Sequence, residues 1–228
     1  EDAVGERPVG AVRGGGRQEC TGSVARYLRA REPVVLQLHY NTLSSEPVRD
    51  QSSVGFQTAD HVDREAMVLP FTDPGWVTGL DALGGAMDIP ADDSDTRHTT
   101  STAFDGPFLG QARGRLGLAE DAALVVHQVG HHMHLLGVEG QQQVRHADGE
   151  TTCLANIPAW DFAWQSGFSL VEPVTLREGD RLELSCRWDN SAANQPVVGG
   201  VRQTPTDVAW GEGSTDEMCL SVLYLTGE

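Results

Sequence analysis

Short stretches of apolar and β-branched residues alternate with turn-forming residues along most of the chain. Turn signals such as REGD at 177–180 and GEG at 211–213 separate the later stretches. No long segment shows an apolar period of 3.6 residues. The pattern therefore predicts an all-β chain folded as an antiparallel β-sandwich. The predicted strands lie at 33–41, 52–59, 66–71, 122–137, 168–175, 181–188 and 218–225, and the segment 88–108 is predicted to be rich in turns.

The charge of the chain limits the classes of partner. It has 33 Asp and Glu residues against 16 Lys and Arg, a formal net charge of −17. A surface of this sign repels phosphate backbones, which argues against nucleic acid as a partner. The sequence has no run of eighteen apolar residues, so no membrane span is predicted.

Four cysteines, Cys20, Cys153, Cys186 and Cys219, are scattered along the chain, and none forms a C-x-x-C pair. This pattern weakens a zinc or thioredoxin-like interpretation and fits two disulfides, for which three connectivities are possible. The protein is then expected in an oxidising compartment: secreted, periplasmic or at the cell surface. The alternative is four reduced, buried thiols.

Three histidines lie within the stretch GHHMHLLG at 130–137. In a strand, His132 and His134 share one face while His131 and Met133 share the other, so the first two could offer two imidazoles to one metal ion. A solvent-exposed histidine-rich strand is the alternative. A thioether would suit Cu(I) as third ligand, and Met218 is the candidate because a cysteine follows it, although a methionine is ordinarily a core residue.

Five ordered motifs, at 36–41, 132–137, 157–165, 189–196 and 211–219, carry a resemblance to a known family. They read LQLHYN, HMHLLG, IPAWDFAWQ, DNSAANQP and GEGSTDEMC. Together they resemble the copper type II ascorbate-dependent monooxygenases, the family of peptidylglycine α-hydroxylating monooxygenase and dopamine β-monooxygenase. The resemblance covers roughly residues 33–228, and five motifs in order are more specific than any one of them.

The resemblance implies tandem jelly-roll sandwiches that carry two separate coppers. It implies that His132, His134 and Met218 hold the oxygen-binding copper. Residues 1–48 would be the closing strands or a remnant of the first sandwich, and residues 49–228 the C-terminal copper-binding jelly roll.

The resemblance also implies a disulfide beside the methionine ligand, which here is Cys186–Cys219. Cys20–Cys153 is then the expected second pair.

The chain departs from the family at the second, electron-donating copper. Members hold it with an adjacent His-His pair and the histidine of an LQxHY motif. His39 matches that histidine, but the pair that should precede it is absent, so the second site is incomplete. We expect the segment 1–48 to pair with the rest of the sandwich, or with a partner chain or domain that completes it.

The substrate anchor of the peptide-amidating members is also missing. Gly130, Leu220 and Val222 stand where those members have Arg, Asn and Tyr. A neutral or cationic small substrate therefore fits better than an anionic peptide terminus.

Two functions remain in competition. In the first, the protein binds O2 at a His2Met copper and hydroxylates an sp3 C–H bond of a small substrate with an ascorbate-type reductant, drawing on an external electron donor. In the second, it is a non-catalytic extracellular copper-binding or structural subunit on the same scaffold. The incomplete donor site favours the second, and the complete His2Met set favours the first.

The residues around the predicted site have mainly structural interpretations. Trp160, Phe162 and Trp164 alternate along a predicted strand and are expected to pack against the core or its rim. Asp216 and Glu217 either hydrogen-bond a ligand histidine or fix the loop that presents the methionine.

Overall fold

The protein is an all-β sandwich with two short helices. The computed structural model describes residues 3–5, 24–26, 49, 51, 53–55, 57–198 and 200–228. The strands are β1 Ala3–Gly5, β2 Val24–Ala25, β3 Gln57–Ala59, β4 Arg64–Phe71, β5 Thr96–Ala103, β6 Leu124–His132, β7 Gly137–Arg145, β8 Thr151–Ile157, β9 Gly167–Leu176, β10 Arg181–Trp188, β11 Val197–Val198, β12 Val201–Arg202 and β13 Leu220–Gly227. The helices are α1 Pro74–Thr78 and α2 Pro107–Arg115, with a 3₁₀ turn at Asp81–Leu83.

Two sheets face each other across the core. One has four strands in the order β5-β10-β7-β8, and the other has five in the order β2-β4-β13-β6-β9. Consecutive long strands alternate between the two sheets, except for the β7–β8 hairpin. Their pairing is antiparallel throughout, apart from the short β2, which runs parallel to β4. The predicted all-β sandwich is confirmed.

The strands with the strongest apolar alternation lie where the sequence predicts them. β10 matches the predicted 181–188, and β6, β9 and β13 lie within two residues of the predicted starts, although the 122–137 stretch is divided by a turn. Among the long strands, β5, β7 and β8 were not predicted. The reason is visible in β7, whose sequence GVEGQQQVR has polar residues at most positions.

The turn-rich interpretation of 88–108 was wrong in part, because the strand β5 and the start of α2 lie within it. β5 reads TRHTTSTA: four of its eight residues are threonine, and Ala103 is its one apolar residue. Threonine favours strands through its branched Cβ, and that preference carries no hydrophobic signal.

The core between the sheets is apolar and is crossed by a disulfide. Met87, Ile89 and Trp188 are fully buried there. Cys186 in β10 is bonded to Cys219 immediately before β13, with 5.9 Å between their Cα atoms, so the bond joins the two sheets. The Cys186–Cys219 pairing implied by the family resemblance is confirmed.

The other predicted disulfide stays a prediction. Cys153 lies exposed on β8, an edge strand, and has no disulfide partner among the described residues. Its predicted partner Cys20 is outside the described residues, as are His39 and the predicted strand 33–41.

Two described pieces of the 1–48 segment pair with the strands that follow. β1 lies antiparallel to β3, and β2 lies parallel to β4 at the edge of the five-stranded sheet. The expected contact between this segment and the rest of the sandwich is present at both places. In the described part of the chain, no helix is long and apolar enough to cross a membrane.

His131 fills a narrow polar gap between the sheets. Its Nδ1 atom accepts a hydrogen bond from Gln142 Nε2 at 3.0 Å, and its Nε2 atom lies 3.3 Å from the Cys186 sulfur. Burial lowers the pKa of His131 to about 4, with a smaller contribution from neighbouring His132. The ring fits because residue 140 on β7 is glycine: a Cβ atom there would lie 2.2 Å from Nε2.

Replacing Gly140 with Ala should therefore destabilise the protein, because the buried ring has to move out of its hydrogen bonds to make room. We expect a loss of about 1–3 kcal/mol in the free energy of unfolding, measured by urea denaturation. Gly114→Ala is the matched control, since a Cβ atom there meets nothing within 4 Å and the residue lies in α2. Equal stabilities for the two variants would contradict the close approach of His131 to β7.

Candidate metal centre

His132 and His134 lie at the end of β6 with their imidazole rings side by side. The ring centroids are 5.0 Å apart and the ring planes are at 80°. β6 ends at His132, so His134 lies in the connection to β7 and not on the strand that the pattern predicted. The chain must reverse direction before Gly137, where β7 begins. The prediction that the two rings project together is nevertheless confirmed.

Each of these rings is held at Nδ1 by an oxygen from another segment. His132 Nδ1 donates to Oε1 of Gln165, and His134 Nδ1 donates to the carbonyl oxygen of Asp216 at 2.9 Å. Gln165 Nε2 donates to the Phe162 carbonyl oxygen at 2.9 Å, which sets the orientation of the amide. Carbonyl oxygens only accept hydrogen bonds, so Nδ1 carries a proton in both rings, and in the neutral form of each ring the lone pair is then on Nε2. A neutral imidazole binds metals in this form.

Met218 approaches the histidines from the neighbouring strand. In the register of β13 against β6, Leu220 pairs with His132. The strand pairing ends there, but the Asp216 carbonyl oxygen, two residues before Met218, accepts from His134 Nδ1, and Glu217 accepts from the backbone N–H groups of both His134 and Met218. The methionine is half-buried, and Cys219 after it is fixed by the disulfide. The backbone of all three predicted ligands thus meets at one end of the five-stranded sheet.

Glu217 is buried between the segments that carry these ligands. Its carboxylate accepts hydrogen bonds from the backbone N–H groups of His134 at 2.8 Å and Leu136 at 2.7 Å, and from Trp188 Nε1 at 2.9 Å. The backbone N–H of Met218 also donates to it. Burial raises the pKa of Glu217 to about 7, and the N–H donors act in the opposite direction. Glu217 thus fixes the segment that carries Met218, which is one of the two alternatives stated from the sequence; its contact with His134 is to the backbone and not to the imidazole ring.

The connection between β8 and β9, which we call the 158–166 loop, wraps around the end of β6. Trp160 Nε1 donates to the His134 carbonyl oxygen at 3.0 Å, and the Phe162 ring meets the His134 ring edge-on with 5.8 Å between centroids. The predicted strand through the aromatic residues was wrong, because this segment is irregular. Trp164 is 78% exposed, so it does not pack against the core as expected.

Sequence reasoning assigned no role to Gln165, which holds the His132 ring. The two residues are 33 positions apart, and a glutamine after an aromatic segment carries no chemical signal of its own. The one available signal was its place at the end of IPAWDFAWQ, a motif that contributes to the family resemblance.

The donor set suits copper better than the metals held by carboxylate or thiolate clusters. Among the described residues, no three His, Cys, Asp or Glu side chains are grouped to bind a metal. Two imidazoles and a thioether form a soft set of donors, which accepts Cu(I) and keeps Cu(II) accessible. The tautomer that Gln165 and Asp216 impose on the two rings is the metal-binding one, so the residues present fit a copper ion.

We expect Glu217→Ala to destabilise the metal-free protein by about 3 kcal/mol or more. The change removes the acceptor of several buried N–H groups, and each unsatisfied buried group costs roughly 1–3 kcal/mol. Urea denaturation measures the loss. Glu212→Ala, an exposed residue on the same loop, is the control and should change the free energy of unfolding by no more than about 0.5 kcal/mol. Similar effects for the two variants would contradict the role of Glu217 as an internal anchor.

Comparison with known proteins relates the C-terminal half of the chain to one family. A search of curated proteins finds no match to the chain. A family model described as the copper type II ascorbate-dependent monooxygenase, C-terminal domain, matches residues 118–226. The matched segment extends from before β6 to the last strand and includes both histidines, Glu217, Met218 and the disulfide. Residues 118–226 thus belong to the copper type II ascorbate-dependent monooxygenase family, as a copper monooxygenase-like C-terminal domain.

Proposed function

We propose that this protein binds one copper ion through His132, His134 and Met218. We further propose that it hydroxylates an sp3 C–H bond of a small substrate with O2 and an ascorbate-type reductant. The observation that carries this proposal is the arrangement of the two imidazoles. Each donates from Nδ1 to a carbonyl oxygen, and the two ring centroids are 5.0 Å apart. The match of residues 118–226 to the copper monooxygenase family model supports the same proposal.

The protein's own part in the reaction is to hold its ligands and to shape the surface beside them. When bound, copper would supply the one-electron chemistry with O2 that side chains alone do not provide. Gln165 and the Asp216 carbonyl keep the imidazoles in one tautomer and one orientation. Glu217 keeps the segments of His134 and Met218 together. Preorganisation of this kind lowers the cost of binding the metal in the required geometry.

The surface beside His132 favours a substrate without negative charge. Gly130 shares the His132 face of β6 and pairs with Val222, while Leu220 pairs with His132 itself. All three of these neighbours are half-buried and apolar. An anionic group would lose its hydration here without gaining a partner. A neutral or cationic small substrate is the one we propose.

The proposal also covers the location of the protein and its partners. The Cys186–Cys219 disulfide supports an oxidising location, namely secreted, periplasmic or at the cell surface. We also propose that residues 1–48 are closing strands or a remnant of a first sandwich, with a partner chain or domain to complete it, and that His39 is a ligand of an incomplete second copper site. An external electron donor would then supply electrons to the copper proposed at His132, His134 and Met218.

Copper affinity tests the ligand assignment. We expect one copper per chain, with Cu(I) affinity lowered at least about 100-fold by His132→Ala, since even the loss of a group that only orients a ligand costs 10–100-fold. Met218→Ile should weaken Cu(I) more than Cu(II), because the thioether is the soft donor. Anaerobic competition with a chromophoric chelator measures both. His61→Ala is the control, since that side chain is 84% exposed. A Met218→Ile variant that binds Cu(I) as tightly as the wild type would remove the methionine from the site.

Oxygen consumption tests catalysis separately from binding. The copper-loaded wild type with ascorbate should consume O2 well above an equal concentration of free copper, and Met218→Ile should return the rate to that background. The His61→Ala variant should behave as the wild type. Copper that binds through His132 without any O2 consumption above background would instead support the non-catalytic copper-binding or structural subunit.

A further inference from the structure

A cavity of about 230 Å³ lies under the 158–166 loop, at the open edge between the two sheets. Ile157 ends the edge strand β8 on one side, and Phe168 lies on the edge strand β9 on the other. Trp160 and Trp164 line it, together with the buried His131.

This cavity is separate from the candidate metal centre. His131 and His132 are neighbours on β6, and successive side chains of a strand point to opposite faces of the sheet. His131 points between the sheets, where it contacts Gln142 and Cys186, and it is the histidine that lines the cavity. His132 points to the other face and is bonded to Gln165.

The walls of the cavity are held in place by hydrogen bonds within the loop and to its neighbours. Trp160 is fixed through its indole N–H to the His134 carbonyl oxygen, and its ring lies 5.8 Å from that of His131, centroid to centroid. Asp161 closes a turn: its Oδ1 accepts from Ala163 N at 2.8 Å, and its carbonyl oxygen accepts from Trp164 N at 2.9 Å. Asp161 and the exposed Trp164, which both line the cavity, are therefore the two ends of one turn.

The residues that line the cavity suit a ligand that carries a positive charge on an apolar group. Three of the residues that line it, Trp160, Trp164 and Phe168, are aromatic, and the faces of aromatic rings attract cations. Among the described residues that line it, Asp161 supplies the carboxylate, and none is Arg or Lys. The net charge of −17 adds a long-range attraction for cations.

We propose that the cavity under the 158–166 loop is a binding site for a small organic cation, such as a quaternary ammonium compound. The site goes beyond the proposed copper chemistry. Its occupation requires no metal, and its lining includes neither His132 nor Met218.

The experiment compares choline with its uncharged isostere 3,3-dimethylbutan-1-ol. Calorimetric titration of the metal-free protein at low salt, with chelator present, measures both affinities. We expect choline to bind about tenfold more tightly, because the two probes differ in the charge that the aromatic faces and Asp161 recognise. Equal affinities for the two probes would overturn the proposal.

Variants locate the site. Trp164→Leu should lower choline affinity about tenfold, since the exposed Trp164 ring supplies much of the attraction and its removal leaves the core intact. Asp161→Asn should lower it by about threefold to fivefold. Asparagine keeps an oxygen to accept from Ala163 N, so the turn persists. Circular dichroism confirms that each variant is folded.

Glu172→Gln is the matched control for charge, because Glu172 is exposed on β9 outside the cavity. It should leave choline affinity unchanged. A loss with Glu172→Gln equal to that with Asp161→Asn would show attraction to the acidic surface as a whole and would overturn the site. His132→Ala should also leave choline affinity unchanged, so failure of the copper proposal and failure of this one are distinguishable.

Discussion

The buried carboxylate of Glu217 is the contact on which the candidate metal centre depends. It accepts hydrogen bonds from the backbone of His134 and Leu136, which follow β6, and from the Trp188 indole on the opposite sheet. Burying this carboxylate without hydrogen-bond donors would reduce the free energy of unfolding. Burying the N–H groups without the carboxylate would reduce it too. The connection between β6 and β7, the start of β13 and the end of β10 are therefore fixed relative to one another by a single side chain.

Much of the fold follows from the sequence because the apolar alternation is strong where strands bury one face. β10 and β13 are examples, since their buried positions lie against the core that contains Leu184 and Leu223. β5 and β7 were missed because threonine and glutamine fill them, and their strand structure depends on pairing with β10 on either side. Pairing with a partner distant in sequence is not visible in a local pattern.

The site was predictable to a different extent. The candidate ligands could be proposed from the sequence, because an H-x-H pair and a methionine beside a cysteine occur in the order of the family's motifs. The groups that orient those ligands were not readable. Gln165 and Trp160 act from a loop that the sequence predicted as a strand, and the turn at Asp161 brings them around the end of β6. Their roles depend on the tertiary arrangement, which no spacing rule encodes.

The disulfide has a consequence for how this domain can vary. Cys186 and Cys219 are separated by 33 residues, so the bond closes a covalent ring that contains the β11–β12 hairpin. The hairpin has short strands and lies outside both main sheets. Because the ring is anchored at both ends, residues can be gained or lost in the hairpin at a small entropic cost, since that cost grows only slowly with loop length. Met218, next to Cys219, would keep its position when the length of the hairpin changes.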